Sequence, residues 1–79
     1  MNKQLSLSLR VLGRKNTKAL VDLYMRLKEK GYSHQQIDDD LIDLIQDNFE
    51  EEIEEFCNKN MIYSNMKVVE YIVNDLKKL

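Results

Sequence analysis

The chain has no proline, no tryptophan, two glycines, one cysteine and one histidine in 79 residues. Each shortage excludes something. Without proline and with little glycine, long irregular loops have little support and helix is favoured. A single cysteine, Cys57, cannot form an internal disulfide, so a cytoplasmic setting is expected. No apolar run approaches the roughly 20 residues that span a bilayer. The N-terminus also lacks the apolar core of a signal peptide.

The same shortages argue against an enzyme. His34 stands alone, which excludes a multi-histidine metal cluster, and it reads as a solvated first-turn residue. Cys57 sits among glutamates, which disfavour a reactive thiolate, and it is expected to pack beside Phe56. There is no glycine-rich phosphate loop. Asp38, Asp39, Asp40 and Asp43 lack the glycine and the alternating ligands of a calcium loop. No cofactor and no metal are expected. Tyr24, Tyr32, Tyr63 and Tyr71 are scattered and read as core-edge residues.

What is present is charge, and it is segregated. Residues 1–33 carry eight Lys/Arg against two acids, and residues 34–58 carry ten acids with no Lys or Arg. The net charge of −2 hides this asymmetry, and the local field decides partners more than the total does.

One stretch alternates strictly. In Gln4 to Val11, QLSLSLRV, a period of two puts Leu5, Leu7, Leu9 and Val11 on one face and Gln4, Ser6, Ser8 and Arg10 on the other. That is the pattern of a half-buried strand. A lone strand leaves its backbone groups unpaired, and no second strand is evident. The expected partner is therefore the same strand of a second copy.

Everything after this stretch reads as helix. Leu12-Gly13-Arg14-Lys15 is a connector, and Asn16 or Thr17 can cap a helix over about Lys18–Lys30. Leu20, Leu23, Tyr24 and Leu27 form its stripe, and Gly31 its C-terminal cap. Ser33 with Gln36 makes a capping box for a helix opening at His34, with Ile37, Leu41, Leu44 and Ile45 inward. A bend is expected near Asn48. Asn58-Lys59-Asn60 reads as a turn, and Ser64 or Asn65 caps a last helix to about Lys78. The expected fold is mainly α. One N-terminal strand forms an intermolecular two-stranded ribbon in a homodimer, and three or four helices follow. All 79 residues make one domain.

The residues QLSLSLRV, the helix ending EKGYS and the helix opening SHQQIDDDLIDLI together resemble the ribbon-helix-helix family of DNA-binding proteins, the Arc and MetJ type. The resemblance covers about residues 3–47, with 48–79 as a C-terminal helical extension. It implies that a paired ribbon enters the major groove of duplex DNA. Gln4, Ser6, Ser8 and Arg10 would face the bases, and the amides at Ser33 and His34 would hold a phosphate. Arg14, Lys15 and Lys18 would neutralise flanking phosphates. The function implied is that of a transcriptional repressor or a plasmid-partition adaptor, whose C-terminal helices extend the dimer or recruit another protein. The alternative is a small acidic interaction module, for example an inhibitor from a mobile element that binds a nucleic-acid-binding protein or mimics its DNA. Its surface would be Asp38, Asp39, Asp43, Glu51 and Glu55.

Overall fold

The computed structural model describes residues 5–79, and these form five α-helices with no strand. They are α1 (Ser6–Leu12), α2 (Arg14–Glu29), α3 (His34–Asn48), α4 (Glu50–Lys59) and α5 (Asn65–Lys77). The expected ribbon is thus absent among the described residues, and the ribbon-built homodimer loses its basis. Gln4 lies outside the described residues.

The reason lies in how one short pattern satisfies two periods. At a helical advance of about 100° per residue, Val11, Ser8 and Leu12 fall side by side. Leu7 flanks them on one edge, and Leu5 and Leu9 on the other. Only Ser6 and Arg10, four apart, are left outside this arc, and both are exposed. Val11, Leu12 and Ser8 are buried. A helix also satisfies its backbone groups within itself, whereas a strand here would need a partner. Ser8 meets the core cost of a hydroxyl by bonding Thr17 on α2, Oγ to Oγ1, at 2.7 Å.

The connector expected at residues 12–15 shrinks to Gly13. Its φ of 87° is open to glycine and strained for other residues. Its amide donates to the Leu9 carbonyl and its carbonyl accepts from the Thr17 amide. Leu20, Tyr24 and Leu27 then line the buried side of α2. The capping box forms as the spacing predicts. The Gln36 amide donates to Ser33 Oγ at 3.2 Å, and the Ser33 amide donates to Gln36 Oε1 at 3.2 Å. The bend falls at Phe49, between α3 and α4.

α5 packs against all four other helices. Its Val68, Val69, Ile72, Val73 and Leu76 are at most 2% exposed, each worth about 1.5–3 kcal/mol of apolar burial. Two contacts pin its C-terminal end. Tyr24 Oη donates to the Lys77 carbonyl at 3.4 Å, and Lys77 Nζ pairs with Asp38 Oδ2 at 2.9 Å. Among the described residues, no helix is long and apolar enough to cross a membrane.

Candidate interaction surface

The residues assigned to DNA contact do not converge. Ser6 is exposed on α1, but Ser8 points into the core and is held by Thr17. Arg10 is exposed beside a shallow cleft that it shares with Glu52, Glu55, Phe56 and Lys59. Arg14, Lys15 and Lys18 are exposed around the first turns of α2. Ser33 and His34 lie past its other end. The 16 residues of α2 extend about 24 Å, so the α3 N-terminus and the basic cluster sit at opposite ends of one helix.

The acidic residues do share a region. α3 and α4 carry all ten acids of residues 34–58. Asp39, Asp43 and Asp47 follow one another at four-residue spacing, as do Glu50 and Glu54, and Glu51 and Glu55; all seven are exposed. Like charges four apart on a helix destabilise it by roughly 0.2–0.5 kcal/mol per pair. Asp47 also stands in the last turn of α3, against the helix dipole. Among the described residues, two of the ten acids are ion-paired. Asp38, half-buried, binds Lys77, and Glu55 binds Lys59 at 3.0 Å in an exposed pair on its own helix. The second oxygen of Asp38, Oδ1, is buried without a partner. Cys57, on the inner side of α4, is 2% exposed. Burial pushes its thiol pKa up, and the nearby Glu54 charge adds to the shift.

The α4–α5 turn completes this region. α4 runs through Lys59, so the turn falls at Asn60–Met61, slightly later than the sequence pattern suggests. The Ile62 amide donates to the Cys57 carbonyl at 2.9 Å, which closes the helix end. Met61 takes φ 55°, the one positive value at a non-glycine residue among those described. Beside the turn, Gln46, Asp47, Glu50, Ile53, Asn65 and Val69 line an open cleft of about 260 Å³.

The exposed residues of this turn are not among the sites that the sequence pattern predicts. Tyr24 is fully buried, but Tyr63 is 92% exposed and is no core-edge residue. Met61 is 73% and Met66 39% exposed. The sequence shows only that no glycine follows α4 to take a left-handed cap as Gly31 does after α2. No protein-family model, curated protein or solved structure matches the chain, and so no comparison identifies the ribbon-helix-helix family.

Proposed function

We propose that the chain is a protein-interaction module that docks a basic partner on its α3–α4 face. One observation carries this reading. Ten carboxylates stand on two consecutive helices with no Lys or Arg before Lys59 at the end of α4, and ion pairs within the described residues engage two of the ten. The resulting self-repulsion is a standing cost to the isolated chain, and a cationic partner relieves it. The expected site residues are Asp39, Asp43 and Glu51, exposed along the two helices, with Asp47 and Glu50 at the corner. Asp38 is better understood as the anchor of α5, and Glu55 as partly occupied by Lys59. A cytoplasmic setting accords with the lone buried cysteine.

The test is a titration with polylysine at low and at moderate salt, followed residue by residue through amide shifts. The expected result is salt-sensitive binding with shifts confined to α3 and α4, weakened about two- to fivefold by Asp43→Lys, the scale of an exposed charge pair. Absence of any shift on α3 and α4 would overturn the reading. So would salt-dependent binding of duplex DNA that Arg14→Glu and Lys18→Glu abolish, because that would move the function to the basic end.

A further inference from the structure

The α4–α5 turn carries apolar surface that the fold does not use. Met61 stands in a left-handed conformation with most of its side chain in solvent, and Tyr63, two residues on, is almost wholly exposed. Met66 follows in the first turn of α5, with its Sδ 3.9 Å from Gln46 Nε2. Gln46 in turn lines the cleft with Asp47, Glu50 and Ile53. Met61 and Tyr63 thus leave the turn's apolar surface in solvent, and Met66, through Gln46, ties the start of α5 to a cleft lined by two carboxylates.

Methionine adapts its shape to irregular partners, and tyrosine presents large contact area at low entropic cost. Such residues at the edge of a charged face suit an amphipathic helix, which offers one apolar and one polar side. The sign of the rim selects among amphipathic helices. An acidic one would be repelled by Asp47 and Glu50, whereas a basic one would gain from both.

We propose that this surface holds a basic amphipathic helix of a partner protein, with its apolar side on Met61, Tyr63 and Met66 and its cations on Asp47 and Glu50. The proposal rests on the reading of α3–α4 as a docking face for a basic partner, and it adds the apolar anchor and the shape of the occupant.

The test uses two peptides of identical leucine and lysine composition, one patterned with the helical period and one scrambled. Both are titrated into the full chain and into its Tyr63→Ser, Met66→Ser and Asp47→Lys variants, with melting curves to verify folding. The patterned peptide is expected to bind about tenfold more tightly than the scrambled one, the scale of a single aromatic anchor. Tyr63→Ser and Met66→Ser should erase that advantage and leave the scrambled peptide unaffected. Asp47→Lys should weaken both. Equal binding of the two peptides, unchanged by Tyr63→Ser, would overturn the proposal while leaving the acidic docking face standing. No binding of either peptide would overturn both. Self-association by sedimentation that Tyr63→Ser abolishes would identify a second copy as the occupant and would also overturn the proposal.

Discussion

Two turns in this molecule solve the same problem with different residues. The α2–α3 turn and the α4–α5 turn each close a helix through a residue at positive φ, Gly31 at 82° and Met61 at 55°. Each returns an amide to a carbonyl five residues back, Tyr32 to Leu27 and Ile62 to Cys57. Each then enters a serine-capped helix, at Ser33 and at Ser64. The first turn follows the stable solution at every step. Glycine takes the left-handed position, and Gln36 completes the capping box. The second departs twice. Methionine takes the left-handed position, and Lys67 stands where Gln36 stands in the first, a cation in the first turn of its helix. The second turn thus forgoes two stabilising choices and exposes Tyr63 at 92% where the first exposes Tyr32 at 43%, which the docking surface proposed above would account for.

The largest effect is expected from Gly31→Met. An added Cβ there meets nothing within 4 Å, so the cost is that of the backbone alone, about 1–2 kcal/mol. For a domain of this size it should lower the melting midpoint by roughly 4–8 °C per kcal/mol. An unchanged midpoint would mean that the left-handed position carries no penalty here, and Met61 would lose its significance.

Next come the caps. Ser33→Ala should cost about 1 kcal/mol in urea unfolding, because it breaks a reciprocal pair. Ser64→Ala should cost roughly half of that, since its bond from the Lys67 amide is 3.4 Å and one-sided. Equal losses would erase the difference between the turns.

Lys67→Glu should run the other way. It supplies the missing capping-box partner and replaces a cation at a helix N-terminus with an anion, for a gain of about 0.5 kcal/mol. Cys57 gives the smallest effect. Its carbonyl accepts the bond that closes the second turn, and its thiol pKa is raised by burial and then by Glu54. The folded state therefore holds that proton more tightly than the unfolded one. Stability from this group should be intact below the ordinary thiol value of 9.0 and fall as pH rises beyond it. Cys57→Ser should flatten that part of the pH profile.

What the sequence could tell depended on how local each cause was. Ser33 and Gln36 act on each other across three residues, so their capping box was readable as spacing. The stripe of Leu20, Tyr24 and Leu27 was readable for the same reason, since one period fitted it. QLSLSLRV was not, because a short Leu-rich run fits a period of two and a helical arc alike. The decision fell to Ser8, whose burial depends on Thr17 across the α1–α2 corner. The acidic character of residues 34–58 was visible as composition, but the exposure of Met61 and Tyr63 was not. It arises because α5 docks centrally by its Val68, Val69, Ile72 and Leu76 side and leaves the preceding turn outside.

The most direct measurement is on Met61→Gly, with stability and binding read on the same sample. Thermal stability should rise, by about 1 kcal/mol of relieved backbone strain, while affinity for the patterned leucine–lysine peptide falls. A variant that is both more stable and equally tight in binding would contradict the claim that the second turn gives up stability for a docking surface.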